Sequence, residues 1–302
     1  MFRRDWEELP LRIEHKTVTH VVRPHRTSAI VRLEGAREYG LGEEVTFQAD
    51  DLLPESPPES WQFSGTFAEF SLWLASEDLF ERPPQYDIVR HYRHWSFEAA
   101  ALDLALKQAG ARFDEVVGRE AKPFDFVVSP PPGFSVFPAG ARLKIDAVDL
   151  RPGLPVDVID FKELGDKAAV ESAQALYPDA LLEDAPVVVP GARVSWDIRI
   201  TSAEEVRRLP DRPRAINVKP ARLGSFAELF GLYELCAAEG IDMYGGGQHE
   251  LGPGRAQIQL LASLFHPQAP NDVAPAGYNE PNLADGLPRS PLAVLPRLGF
   301  GL

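Results

Sequence analysis

Residues 156–219, VDVIDFKELGDKAAVESAQALYPDALLEDAPVVVPGARVSWDIRITSAEEVRRLPDRPRAINVK, decide how the rest of the chain is read. Four short apolar runs within them each end on one charged residue: VDVID at Asp160, DALLE at Glu183, VSWD at Asp197 and INVK at Lys219. A buried strand does not carry a charge into an apolar core, so a charge at its C-terminal end faces a site. Three carboxylates and a lysine placed in this way point to a divalent-metal site with a base beside it.

Working outward, the rhythm from Phe124 onward alternates strand and helix. Strands are predicted at FDFVVS, ARLKIDAV, VDVIDF, DALLED, RVSWDIRI, RAINVKPA and IDMYGGG, with a weaker eighth near NDVAPAGY. Helices fit Lys167 to Leu176, Ala203 to Leu209, Ser225 to Glu239 and Gly254 to Phe265, two of them opened by Ser202 or Ser225 as N-caps. Repeated β-then-α units predict an α/β fold with a parallel sheet, and about eight strands favour a closed barrel of the TIM type. The connections DLRPGLP and VVVPGA are too short for a helix, so the barrel is expected to be modified, with some outer helices missing. An open doubly wound sheet is the alternative.

The first part of the chain reads differently. Residues 17–35 and 43–48 partly alternate apolar and polar side chains and predict a small antiparallel sheet. Thr66 to Ala75 and Ser96 to Gly110 carry helical spacing, the second densely. This part is therefore α+β.

Of 302 residues, 44% are hydrophobic and 25% charged, enough to bury a large core. The net charge of −14, without a basic run interleaved with aromatics, argues against nucleic acid or an anionic membrane as partner. The N-terminal MFRRDWEELPLRIEH lacks an apolar h-region, and no apolar stretch reaches membrane-span length, so a cytoplasmic protein is expected. Cys236 sits in the helical pattern AELFGLYELCAAEG and reads as a core residue. The 28 prolines concentrate in ESPPES, SPPPGF and the last forty or so positions, which read as loops and an extended tail. Gly245, Gly246 and Gly247 could form a phosphate-holding turn, or a tight turn below a substrate.

Five segments together resemble the enolase superfamily, in the muconate-lactonizing branch that includes o-succinylbenzoate synthase: TSAIVRLEGAREYGLGEEVTF, SFEAAALDLALKQAG, ALLEDAP, INVKPARLGS and GGGQHELGPGRAQIQLLASL, in the family's order. The first resembles the family's cap strands with their Gly-x-Gly-Glu turn, Gly40, Gly42 and Glu43. The resemblance implies a capping domain over residues 1–123 and a (β/α) barrel with a Pro-rich tail over residues 124–302. It implies Asp160, Glu183 and Asp197 as Mg²⁺ ligands, with Lys144 and Lys219 as base and opposed acid or cation. The implied activity is a lyase or isomerase that removes a proton α to the carboxylate of a small substrate through an enediolate. Loss of water, as in o-succinylbenzoate synthase, or racemisation or epimerisation would follow. A degenerate, non-catalytic member acting as a binding or scaffold protein is the rival reading.

Further expectations attach to single residues. Arg142 and Lys144 alternate onto one face of their strand, so Arg142 could lower the Lys144 pKa, while Asp146 could pair with Lys144. Lys162 is expected to pair with Asp160 or Glu163. His249 reads more readily as a loop histidine than as an acid or base, and the cap segments His20–His25 and Trp61–Phe63 are expected to read the substrate's distal end. Family members range from monomers to octamers, so a homo-oligomer is compatible with the resemblance.

Overall fold

The computed structural model describes residues 2–23, 26–46, 61–131, 133–134, 137–209, 211–280 and 283–302. A 3₁₀ turn, Asp5–Glu8, leads into β1 (Pro10–Ile13), β2 (His15–Arg23), β3 (Arg26–Gly35), β4 (Glu38–Val45) and β5 (Phe63–Thr66). Strands β2, β3 and β4 form the expected antiparallel sheet, and β1 pairs antiparallel with β5. Residues 47–60, which hold the end of the strand expected at 43–48 and the ESPPES segment, lie outside the described residues.

Two helices complete this part. Helix α1 (Phe67–Ser76) is opened by a capping box in which Thr66 and Glu69 satisfy each other's backbone N–H. Helix α2 (Ile88–Gln108) begins well before the expected Ser96. Its first turns carry Arg and His where the packing is tight, which hides them from a hydrophobicity pattern. Arg93 is buried against Glu44 at 3.1 Å, and the His91 and His94 rings bond the carbonyls of Arg222 (2.6 Å) and Gly224 (2.8 Å). Partners far along the chain thus satisfy polar groups that the sequence alone suggests are exposed. Gly40 and Gly42 lie inside β4 rather than in a turn. The backbone of α2 at Ser96 and Ala100 occupies the space where their Cβ atoms would stand, so the Ala-rich helix lies directly on the strand.

After α3 (Phe113–Val117) the chain builds β6 (Val127–Val128), β7 (Arg142–Asp146), β8 (Val156–Asp160), α4 (Lys167–Leu176), β9 (Leu181–Glu183), β10 (Val194–Trp196), α5 (Ala203–Arg208), β11 (Ala215–Val218), α6 (Pro220–Leu223), α7 (Phe226–Glu239), β12 (Asp242–Gly245) and α8 (Pro253–Phe265). The side chains of Asp166, Ser202 and Ser225 accept the N3 backbone N–H of α4, α5 and α7. Strands β6 to β12 form one seven-stranded parallel sheet whose order follows the chain. A doubly wound sheet reverses its order at a switch point; this one does not. Among the described residues no α-helix covers the β7–β8 or β9–β10 connection, as the short loops predicted.

The weak eighth strand is a two-residue bridge. Phe126 pairs with Asn271 and Gly246 with Asp272, both parallel, which sets residues 271–272 between the first and last barrel strands. Val127 N donates to Asn271 O (2.9 Å) and Asp272 N to Gly245 O (2.7 Å). The sheet curls into a modified TIM barrel joined to an N-terminal α+β part.

The two parts share one core. Phe226 on α7 packs against Trp6 (5.7 Å), Phe67 (5.9 Å) and Trp95 (4.6 Å), and Phe300 from the tail joins it at 5.3 Å. Glu43 on β4 accepts N–H bonds from Leu251 (2.6 Å), Gly252 (2.9 Å) and Gly254 (3.0 Å) at the start of α8. Cys236 is buried, and burial pushes its thiol up to about 12, in keeping with a core role. Among the described residues no helix is long and apolar enough to cross a membrane.

Candidate metal and lysine site

Parallel pairing places strand-end residues side by side. Asp146 on β7 faces Asp160 on β8, and Asp160 faces Glu183 on β9. Asp197 and Lys219 follow the last residues of β10 and β11. These C-terminal ends open into a cavity of about 730 Å³ lined by Lys144, Asp160, Asp197, Lys219 and Asp272, among others. All five sequence-derived candidates therefore gather at one end of the barrel.

Glu183 is fully buried. Its Oε1 meets Lys144 Nζ, and its Oε2 accepts from Tyr244 OH and from Asn217 Nδ2 (2.9 Å). Asp160 and Asp184 bring carboxylate oxygens within 4.8 Å of one from Glu183 and of each other. Asp184 was not singled out in the sequence. Its backbone is left-handed (φ 46°), which turns its carboxylate back to accept N–H bonds from Asp197 (2.9 Å) and Ile198 (3.0 Å). Asp197 stands one strand further, with Oδ2 2.5 Å from Lys219 Nζ. Its Oδ1 is buried without a hydrogen-bond partner, and Arg222 Nε is 3.7 Å away.

Lys144 is surrounded by acids: besides Glu183, Asp272 lies at 3.4 Å and Asp160 at 3.6 Å. Burial alone would lower its pKa, but Glu183, Asp272, Asp160 and Asp197 outweigh burial and hold it well above the ordinary lysine value. This corrects the expectation that Arg142 would lower it. The pairing register shifts between Leu143 and Lys144, and Arg142 is exposed, bound to Asp157. Asp146 pairs with Lys162 rather than with Lys144, so Lys162 joins neither Asp160 nor Glu163 through its side chain. Only the Lys162 backbone N–H reaches Asp160, at 3.0 Å.

Burial pushes Glu183 up to about 7 against the pull of Lys144, and pushes Asp184 up to about 6. Asp197 is held below the usual carboxylate range: burial opposes this, but Lys219 and Arg222 win. Asp272 falls to about 2 because Lys144 and Lys219 overcome its burial, and Ser129 Oγ donates to it at 2.7 Å. Asp272 lies in the segment read as the weak eighth strand, but nothing in its spacing marked it for the site.

Other expectations resolve locally. Gly245 and Gly246 spend their N–H groups on Asn271 Oδ1 (2.6 Å) and Val218 O (3.0 Å), so the glycine turn braces the site instead of cradling phosphate. A Cβ on Gly246 would overlap Asn217 and Lys219. His249 lines the cavity with a left-handed backbone (φ 62°). Trp61 stacks on Phe97 at 4.6 Å, and Phe63 packs on Phe70 at 5.3 Å, so both belong to the cap core. Of the His20–His25 segment, residues 24 and 25 lie outside the described residues.

The chain matches the family models described as "Domain of unknown function (DUF8230)", its N-terminal domain over residues 5–116 and its C-terminal domain over residues 141–280. An N-succinylamino acid racemase of Thermus thermophilus is 39% identical over 85 residues, 28% of this chain and 23% of that protein. That alignment spans less than two thirds of the relative's own length. An o-succinylbenzoate synthase of Geobacillus stearothermophilus is 25% identical over 287 residues, 79% of this chain and 74% of that protein. Among solved structures, a dipeptide epimerase from Enterococcus faecalis V583 superposes with a TM-score of 0.63 at 16% identity, covering 96% of this chain and 99% of that one. A mandelate racemase/muconate-lactonizing-type protein from Roseovarius nubinhibens ISM, complexed with magnesium, gives 0.61 at 17% identity, covering 97% and 95%. At these identities the structural likeness speaks for the fold. The chain therefore belongs to the family that the two DUF8230 domains define, and in sequence and fold it is similar to the enolase superfamily, in the muconate-lactonizing branch.

Proposed function

We propose that this protein is a Mg²⁺-dependent lyase or isomerase that removes a proton α to the carboxylate of a small substrate. One observation carries the reading: Lys144 and Lys219 stand on β7 and after β11, on either side of the three strands that bear the carboxylates, and both open into one cavity. Residues 1–123 would act as cap over the barrel of residues 124–302, in a cytoplasmic enzyme able to self-associate.

The donor set fits a small hard cation. Asp160, Glu183 and Asp184 bring carboxylate oxygens within 4.8 Å of one another, and Asp197, one strand further, holds Oδ1 buried without a hydrogen-bond partner as a candidate further ligand. A bound Mg²⁺ would stabilise negative charge as it builds on the substrate carboxylate in an enediolate. Lys144 or Lys219 would take the α-proton, and the opposite lysine would return one or hold charge. The acids that hold Lys144 protonated are those that would bind the cation, so its proton affinity is linked to the charge state of the site. Arg222 and Arg255 line the same cavity, so guanidinium groups stand at its wall.

Elimination of water, the reaction that the resemblance to o-succinylbenzoate synthase implies, is the one we favour; racemisation or epimerisation would use both lysines as bases. The test is ¹H NMR in D₂O with Mg²⁺, following α-proton exchange in o-succinylbenzoate precursors, N-succinylamino acids and dipeptides. Lys144→Ala and Lys219→Ala should each abolish exchange on at least one face. Full exchange in both variants would sink the assignment. Binding without turnover is the second reading, favoured by the engagement of both Glu183 oxygens by Lys144, Tyr244 and Asn217. It predicts Mg²⁺ and carboxylate binding in the wild type with no exchange at all.

A further inference from the structure

Glu183 presents its two oxygens unequally. Oε2 accepts from Tyr244 OH and from Asn217 Nδ2 (2.9 Å). A carboxylate oxygen has two lone pairs, so Oε2 has none left for a metal ion. Oε1 meets Lys144 Nζ, which also lies 3.6 Å from Asp160 Oδ2, so Oε1 is the oxygen turned toward the neighbouring acids. Tyr244 is itself fixed: it is fully buried on β12, its ring lies among Val158, Leu181 and Ala215, and its hydroxyl is 3.0 Å from Ser195 Oγ. The phenol can neither swing away nor be replaced by water without opening this cluster.

We propose that Tyr244 is a positioning residue that confines Glu183 to one-oxygen ligation and so makes the site select Mg²⁺ over Ca²⁺. The inference rests on the metal reading given above. The chemistry follows from the cations' needs. Ca²⁺ takes more oxygens at longer range and gains from two-oxygen carboxylate contact, whereas Mg²⁺ takes single oxygens in a tight octahedron. A glutamate locked on one side serves the second ion better than the first. Partners of ligands set such preferences because they fix ligand orientation.

The experiment is calorimetric titration of the full chain with Mg²⁺ and, separately, with Ca²⁺, for the wild type, Tyr244→Phe and Asn217→Ala. The wild type should bind Mg²⁺ more tightly than Ca²⁺. Tyr244→Phe should move the ratio of the two Kd values toward Ca²⁺ by about tenfold, the lower end of what loss of a ligand's partner costs. General destabilisation would weaken both ions together and leave the ratio in place. If Tyr244→Phe does not fold, as judged by circular dichroism, Asn217→Ala removes the other donor to the same oxygen, Oε2, and must shift the ratio the same way. An unchanged ratio with both ions bound overturns this inference and leaves the metal reading intact. Absence of binding of either ion to the wild type overturns both.

Discussion

Lys219 Nζ lies 2.5 Å from Asp197 Oδ2, tying the residue after β11 to the residue after β10, and both side chains are about nine-tenths buried. Breaking such a pair from one side leaves a buried charge, at a cost of roughly 3 kcal/mol. Lys219→Ala should therefore lower the urea-unfolding free energy by about that amount in EDTA. Mg²⁺ should restore part of the loss, since a cation on Asp197 would replace the lysine. A loss that Mg²⁺ leaves untouched would count against Asp197 as a ligand.

Glu43 fastens the cap to the barrel through N–H bonds from Leu251, Gly252 and Gly254 and a hydroxyl bond from Ser28 at 2.7 Å. Glu43→Gln replaces one acceptor oxygen with a donor that faces those N–H groups. The expected loss is about 2 kcal/mol, within the range for hydrogen bonds to a buried charge. Hydrogen exchange should localise it, with amide protection falling first at residues 251–254.

Gly246 passes so close to Asn217 and Lys219 that a Cβ needs space they occupy. Gly246→Ala should cost roughly 1–3 kcal/mol. It should also weaken Mg²⁺ binding, because displaced Asn217 no longer holds Glu183. Wild-type melting and Mg²⁺ affinity in this variant would contradict the packing described.

His266 Nδ1 is 2.6 Å from Asn271 Oδ1, which in turn accepts from Gly245 N. Burial lowers the His266 pKa to about 4, although the Asn271 bond opposes it. Below pH 6.5 the unfolded chain takes up a proton that native His266 refuses until about pH 4. Stability should thus fall as pH drops through that window, by an amount on the order of 3 kcal/mol. His266→Gln should flatten that segment of the stability profile relative to wild type; parallel profiles would rule out the histidine as its source.

Much of the architecture was legible because barrel strands and helices announce themselves locally. The α4 boundaries, the caps at Ser202 and Ser225 and the missing outer helices all follow from periodicity, capping residues and loop length. Short elements were not. Strands β1 and β5 have four residues each and pair across fifty or more positions, and the first turns of α2 bury Arg93 with a partner that no local pattern names.

The sequence by itself determined that charged residues end successive buried strands, which is enough to place Asp160, Glu183, Asp197 and Lys219 at one end of a parallel barrel. Side-chain partnership was decided only by the tertiary structure. Lys144 faces acids rather than Arg142, Asp146 turns to Lys162, and Asp184, Tyr244, Asn217 and Asp272 enter the site from strands whose spacing gives no hint of it. Strand periodicity fixes which face a residue occupies, but barrel curvature and a shifted register between β7 and β8 select the neighbours that meet there.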